Sequence, residues 1–416
     1  MIYVCDAIMG TGKSSAAIEY MNEHKTDKFV YITPYLDEAE RIKNGCPELH
    51  FVEPSNAFAE YNHRKSQHTA ALIKRGLNIT TTHQAFKNYN KQMLSDIRKH
   101  GYTLFIDESL DILKPCECNA DDIRLVIDAG YIRKDENGNF VRTESEYTGS
   151  ALAEVFWMLE SRCLIYSDSD DGIFYWSLPK ELLESFSDVY ILTYMFEGQN
   201  MYYYLKMYHM EFENIHIQKK DNIFSFCKDN AFCPSYIKNI KSMIHILDHP
   251  KLNHIGFNEK SQQDDEYALS MAWFSKNKSS ISQLQKNLAN LYKNIWSDSS
   301  PDTRMWGTFS SAYGKLRGKG YTKGYVVFNA RATNAHRHRR YLSYLANVYM
   351  NVNEKLFYQK LGLEVHEDTY ALSVLVQWIW RSAIRDGEEI WLYIPSIRMR
   401  RLLTEWMDRL ESGQTQ

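Results

Sequence analysis

The chain has 416 residues and a formal net charge of −3, from 49 Lys and Arg against 52 Asp and Glu. That length supplies two or three domains whose cores need no disulfide or metal staple. Hydrophobic and charged shares of 44% and 24% exclude a disordered, collagen-like or rod-shaped chain. Near-neutrality excludes a uniformly basic nucleic-acid coat but not a local basic path, and basic residues prevail in 301–416 while acidic ones prevail before them. The opening Met1-Ile2-Tyr3-Val4-Cys5 runs into Asp6 without a basic leader. No apolar run approaches the ~20 residues of a membrane helix. Seven scattered cysteines suit reduced thiols, so a cytoplasmic location is expected. Cys116 and Cys118 are closely spaced, with no second Cys/His pair to complete a zinc site.

In chain order, residues 2–7 read as a buried strand, followed by the turn Met9-Gly10-Thr11-Gly12 and a helix from Lys13 to about residue 22. Residues 29–33 form a second strand that Pro34 breaks, 36–43 a helix, 77–81 a third strand, 83–100 a helix and 102–107 a fourth strand. Alternating apolar strands and helices mean a parallel α/β sheet. The order loosens over 114–188, which contains a hairpin-like turn at 135–139 and the polar run 167–172. We read it as an insertion, after which 189–193 is a further core strand. The expected division is a first domain over 1–212, a linker region over 213–235 and a second domain over 236–416. In the second domain 324–328 and 389–394 read as strands, 368–385 as a long helix and 397–410 as a terminal helix.

Ala7-Ile8-Met9-Gly10-Thr11-Gly12-Lys13-Ser14 is a strand, a Gly-rich turn and a helix start, the makings of an anion cradle in which backbone N–H groups and the helix dipole face phosphate. Met9, Gly10, Thr11, Gly12, Lys13, Ser14 and Ser15 are the candidate nucleotide contacts. Lys13 is the group to reach the β/γ-phosphates, and Ser14 a Mg²⁺ ligand. The strict pattern has Gly where Ala7 stands. The apolar strand Leu104-Phe105-Ile106 ends in Asp107 and Glu108, at a strand edge beside that loop. Asp107 suits a Mg²⁺ ligand, and Glu108 the base that orients an attacking water. Gln377, Arg381 and Arg385, spaced i, i+4, i+8 in an apolar helix, are expected to share one face. From there the two guanidiniums could stabilise charge on a transferring phosphoryl group. Asp386-Gly387 ends that helix.

These residues carry a resemblance to superfamily 2 helicases of the DEAD/DEAH-like group, in a compact form typical of phages and mobile elements. Ala7 to Ser14 resembles motif I, Tyr31-Ile32-Thr33-Pro34-Tyr35-Leu36 motif Ia, and Ile79-Thr80-Thr81-Thr82-His83 motif Ib. Asp107-Glu108-Ser109-Leu110 resembles motif II, and Leu192-Thr193-Tyr194 stands where motif III belongs. Asn329-Ala330-Arg331-Ala332-Thr333-Asn334 stands in the place of motif V, and Gln377 to Arg385 resembles motif VI with Trp380 in place of its glycine. No motif IV and no Q motif is found. The resemblance implies two RecA-like P-loop NTPase domains of α/β class with parallel sheets, ATP and Mg²⁺ in the cleft between them, and the insertion on the first domain. It implies a nucleic-acid-stimulated ATP hydrolase, a helicase or translocase acting in phage or mobile-element replication or recombination, with DNA favoured over RNA as the tracked strand. A phage-encoded protein of this kind works in the cytoplasm of a bacterial host.

For strand contacts, Thr33, Thr81, Thr82 and His83 lie at strand ends, together with Arg331 and Asn334. Lys315, Arg317, Lys319 and Lys323 surround glycines and Tyr321, a mixture suited to charge plus stacking. Arg337, Arg339 and Arg340 extend the basic stretch. Two rival readings remain: a DNA-packaging ATPase of the terminase type, and an ATP-gated binding or loading module that does not unwind. A small-molecule or nucleotide kinase explains Lys13 but not the motif VI-like segment.

Overall fold

The computed structural model describes the chain except residues 35, 111, 137, 144–146, 150–151, 161, 167–172, 230, 258–262, 329–333 and 413–416, and except the side chains of Leu36 and Asn334. The polar run 167–172 and the motif V-like residues up to Thr333, Arg331 among them, therefore lie outside the described residues. The chain forms two units. The first comprises Met1–Ile8, Gly12–Phe232 and Asn353–Val365, and the second Met9–Thr11, Cys233–Val352 and His366–Gln416.

The first unit begins with β1 (Ile2–Asp6), α1 (Lys13–Glu23), β2 (Lys28–Thr33), α2 (Leu36–Gly45), α3 (Lys65–Lys74) and β3 (Ile79–Thr82). It continues with α4 (His83–Phe86), α5 (Lys91–His100) and β4 (Tyr102–Asp107). Where the sequence predicts one helix over 83–100 there are two, because the Asn90 side chain accepts the Met93 N–H at 3.0 Å and starts a helix of its own. The insertion, left without regular structure in the sequence reading, is a five-stranded antiparallel sheet. Its strands are β5 (Leu113–Pro115), β6 (Ile132–Lys134), β7 (Phe140–Arg142), β8 (Cys163–Tyr166) and β9 (Phe174–Ser177), in the order β5-β9-β8-β7-β6. It has its own core of Ile123, Val126, Phe140, Phe156, Leu164 and Trp176. The turn expected at 135–139 joins β6 to β7, with Asp135 Oδ1 accepting the Asn139 N–H at 2.9 Å.

The main sheet is completed by β10 (Asp188–Thr193), β11 (Glu213–Lys220) and β12 (Ile223–Cys227), in the order β12-β11-β1-β10-β4-β2-β3. All neighbours are parallel except β11 and β12. Its strands alternate between two cores. Val4, Val30, Ile32, Leu104, Ile106 and Ile191 share one, and Cys5, Phe29, Tyr31, Phe105, Tyr190 and Leu192 the other, as expected of a parallel sheet covered on both faces. The stretch read as a linker thus carries two strands. Ile215 and Ile217 point one way into the core, and Asp221 and Asn222, with φ of 49° and 65°, make the tight turn between β11 and β12. One strand, β10, separates the loop-bearing strand β1 from the acidic strand β4.

The second unit holds a parallel sheet of β13 (Ile244–Ile246), β14 (Arg304–Gly307), β15 (Tyr341–Tyr344) and β16 (Ile390–Tyr393), in the order β13-β16-β15-β14. Helices Lys278–Asn290, Glu367–Ile379 and Ile397–Glu411 belong to it. The strand expected over 324–328 is absent. Thr322–Gly324 is a 3-10 turn, and Tyr325 makes a single bridge to Trp306 while packing on Tyr313 at 4.4 Å between ring centroids. Tyr325 instead packs, partly buried, against the core that holds Trp306 and Tyr321. The α/β class with parallel sheets is as expected. Among the described residues no helix is long and apolar enough to cross a membrane.

Candidate nucleotide-phosphate site

The loop between β1 and α1 turns on two glycines in the left-handed region, Gly10 with φ 84° and Gly12 with φ 95°, a conformation costing an L-residue about 1–2 kcal/mol. α1 starts at Lys13, its Ala16 N–H bonded to Gly12 O at 2.8 Å, and no described side chain caps its first turn. Those N–H groups can face an anion. The Phe224 ring of β12 lies across the loop, and a Cβ on Gly12 would come within 2.3 Å of it. The Lys13 ammonium is folded into the loop, donating to the carbonyls of Ala7 and, at 3.2 Å, Ile8. Burial lowers its pKa below that of an ordinary lysine, against the nearby charges of Cys5, Asp107, Asp6 and Glu108. A phosphate oxygen is the natural partner for an amine so held.

Asp107 ends β4 and is buried. Burial raises its pKa well above the carboxylate norm, helped by Glu38 and Glu108, while Lys13 and Arg41 oppose. Glu108 takes φ 63° and donates its N–H to Leu192 O at 2.9 Å, so backbone strain sits at the acidic pair. His83 at the start of α4 donates Nε2–H to the Asp107 carbonyl at 2.8 Å. Burial lowers the His83 pKa to about 4, with that bond opposing, so the ring is neutral. The Tyr31 hydroxyl is buried near Ser14 and Asp107, and burial drives its pKa far up.

Four further residues belong to this region and were not singled out from the sequence. Asp6 accepts the N–H groups of Met195 at 2.7 Å and Phe196 at 2.9 Å, tying the end of β1 to the turn after β10. Burial raises its pKa against those two bonds. Arg41 donates to Ser15 Oγ at 2.9 Å and to Glu38 at 2.8 Å. The i, i+3 spacing of Glu38 and Arg41 was the available signal. Phe224 had none, because its strand was not foreseen. The motif III-like turn is braced by Thr193 Oγ1 to Gln199 Oε1 at 2.9 Å and Gln199 Nε2 to Tyr194 O at 2.6 Å.

The arginine stripe is corrected. The helix Glu367–Ile379 stops four residues after Leu375, because the Ser382 hydroxyl and N–H both bond Ile379 O, at 2.6 and 3.0 Å, and Ser382 itself is extended. Gln377 is half-buried on the helix, Arg381 is buried with Nη1 on Val327 O at 2.9 Å, and Arg385 is exposed on the 3-10 segment Ala383–Asp386. The three do not share a helical face. Gly387, at φ 73°, ends that 3-10 segment and not the long helix it was expected to end.

The strand-contact candidates fare unevenly. Thr33 and Thr81 are buried, and the Thr82 hydroxyl accepts the Ala85 N–H at 3.3 Å as the cap of α4. Lys315, Arg317, Lys319 and Lys323 are exposed, with Lys315 Nζ on Phe274 O at 2.8 Å. Arg337 pairs with both oxygens of Asp386, Arg340 pairs with Glu388, and Arg339 bonds Arg304 O at 2.6 Å. This part of the basic stretch therefore has intramolecular work. Asn334 opens a 3-10 turn.

The end of β1, the loop after it and the start of α1 thus form an uncapped helix start behind two left-handed glycines, with an acidic strand end beyond one intervening strand. The chain belongs to the YonV family. It is 34% identical over 417 residues to the SPbeta prophage-derived uncharacterized protein YonV of Bacillus subtilis (strain 168), covering 98% of each. Residues 238–407 match the YonV C-terminal Rossmann-like domain. Among solved structures it is similar to XPD_APO, with a TM-score of 0.43 and 10% identity over 97% of this chain and 95% of the other. It is also similar to the structure of S. tokodaii Xpd4, with a TM-score of 0.48 and 12% identity over 98% and 94%.

Proposed function

We propose that the chain is an ATP-dependent nucleic-acid helicase or translocase. The observation that carries the reading is the loop at Gly10–Ser14 with Lys13 drawn inward, facing the buried Asp107 and strained Glu108 across one intervening strand. The donor set suits a triphosphate, because the Lys13 ammonium and the uncapped first-turn N–H groups of α1 are all hydrogen-bond donors. In this reading Lys13 and the first-turn N–H groups of α1 bind phosphate, the Ser14 hydroxyl and Asp107 hold Mg²⁺, and Glu108 orients water. ATP–Mg²⁺ supplies the phosphoryl group and its charge when bound. Neutral His83 and Asp6 position the two loops that flank the site. Gln377, Arg381 and Arg385 are assigned to hydrolysis by the motif resemblance, and Arg385 is the exposed cation of the set. The prophage origin of the relative supports a role in phage or mobile-element DNA metabolism.

The test is ATP hydrolysis by the wild type and by Lys13→Ala, with and without single-stranded DNA, duplex DNA and RNA. The expected result is strand-stimulated hydrolysis that Lys13→Ala abolishes, and no hydrolysis by the wild type under any condition refutes the proposal. Displacement of a strand from 3′- and 5′-tailed duplexes separates unwinding from gated loading.

A further inference from the structure

The insertion and α4 enclose a cavity of about 280 Å³ within the first unit. Three cations reach it from three directions: Lys87 just beyond α4, Lys114 from β5, and Arg162 before β8. Trp157, on the short helix Ala153–Met158, lines it while standing 58% exposed. An indole so exposed buries little of its apolar face in the fold. Trp176 forms the floor, buried and paired across the strands with Lys114. Gln84 and Asn88 add amide donors and acceptors, and Glu154 is the one carboxylate among the lining residues. An exposed indole, amides and three cations, set against Glu154 and against Glu117 at 3.6 Å from Lys114, are the chemistry that receives an unpaired base and its phosphates: stacking for the ring, hydrogen bonds for its edge and cations for the backbone.

We infer that this groove binds a single strand of nucleic acid, with a base stacked on Trp157 and the flanking phosphates met by Lys87, Lys114 and Arg162. The inference rests on the helicase reading and gives the insertion a task in it. It also places a strand contact on the insertion, which none of the sequence candidates occupied. The groove is linked to the acidic pair, since Gln84 lies on α4 and Lys87 just beyond it, and the first residue of α4, His83, holds the Asp107 carbonyl at 2.8 Å. A strand in the groove therefore presses on an element bonded to the end of β4.

The test is fluorescence anisotropy of labelled oligothymidine and oligouridine of about 16 nucleotides, and of a blunt duplex of the same length. The proteins are the full-length wild type, Trp157→Ala, Trp157→Phe and Lys114→Gln. Loss of stacking predicts about 5- to 100-fold weaker single-strand binding for Trp157→Ala and near-normal binding for Trp157→Phe. Lys114→Gln lowers the salt dependence by about one counterion. Strand-stimulated hydrolysis falls in Trp157→Ala, and its melting temperature stays at the wild-type value because the ring is exposed. Single-strand binding by the wild type that Trp157→Ala leaves intact overturns the groove and spares the helicase reading. A wild type that binds duplex in preference to either single strand also overturns the groove. A wild type that neither binds nucleic acid nor hydrolyses ATP overturns the helicase reading itself.

Discussion

Gly12→Ala offers a perturbation whose cost can be worked from the coordinates. The new Cβ would lie 2.3, 2.5 and 2.8 Å from three atoms of the Phe224 ring, too close for any real contact, so ring or loop must move. Overpacking of this kind costs about 1–3 kcal/mol. The residue must also keep φ near 95°, which costs an alanine about 1–2 kcal/mol. The expected loss is about 2–5 kcal/mol in the first unit, or roughly 2–4 °C of melting temperature per kcal/mol. Phe224→Ala removes all three clashing atoms, and for a half-buried ring should cost about 2 kcal/mol by itself. The double variant then regains the steric share, so the two losses fall short of additivity by about 1–3 kcal/mol. Urea unfolding followed by circular dichroism reads all four proteins. Additive losses would refute the claim that Phe224 packs on the phosphate loop, and a Gly12→Ala protein as stable as the wild type would refute the loop geometry.

Asp107→Asn should stabilise the protein at neutral pH while abolishing hydrolysis. The folded carboxyl has a raised pKa, so the folded state holds its proton more tightly than the unfolded chain. Stability then falls as pH rises from the unfolded pKa through the folded one, and the penalty is complete above it. The advantage of the amide is greatest there and vanishes in acid, and thermal melts across pH would show no such trend if Asp107 were free of that penalty. Arg337→Ala should leave single-strand affinity within about twofold and cost at most about 1 kcal/mol, because its guanidinium is already paired with Asp386; a large loss of binding in an anisotropy titration would contradict this. Arg398 is buried, bonded to Asp368 at 2.6 and 3.0 Å, Asn347 at 3.0 Å and Val348 O at 2.8 Å, and stacked 4.2 Å from the Tyr349 ring centroid. Arg398→Ala should therefore cost the second unit about 3–5 kcal/mol, and Arg398→Lys should recover less than half, since an ammonium cannot reproduce the planar fork. Denaturant unfolding of both variants checks this.

The central strands were readable because burial on both faces makes each a continuous apolar run, as at Phe29–Ile32 and Leu104–Ile106. The phosphate loop was readable because glycine is needed wherever the backbone turns left-handed, as it does at Gly10 and Gly12. The insertion was not, since its strands are three or four residues long, too short for any period to show. β11 was hidden because only alternate residues, Ile215 and Ile217, are core while their neighbours are charged or polar. The arginine stripe failed for a tertiary reason. Nothing in Trp380-Arg381-Ser382 forbids a helix, and it ends because Ser382 caps Ile379 and Arg381 turns to Val327. The Asp6 clasp joins residues 189 positions apart, and no local pattern announces such a contact.

The thirteen-residue excursion Asn353–Val365 belongs to the first unit although the chain around it builds the second. Phe357 packs on Tyr175 at 5.1 Å, Tyr358 stacks on Tyr203 at 4.6 Å, and the Tyr358 hydroxyl reaches Asn200 at 3.5 Å. A single cut near residue 232 therefore cannot release a whole first unit, because it leaves Tyr175 and Tyr203 without their partners. Nor can one recombination crossover exchange either unit for a foreign one without breaking the other. The two halves are obliged to be inherited, expressed and diversified as one piece.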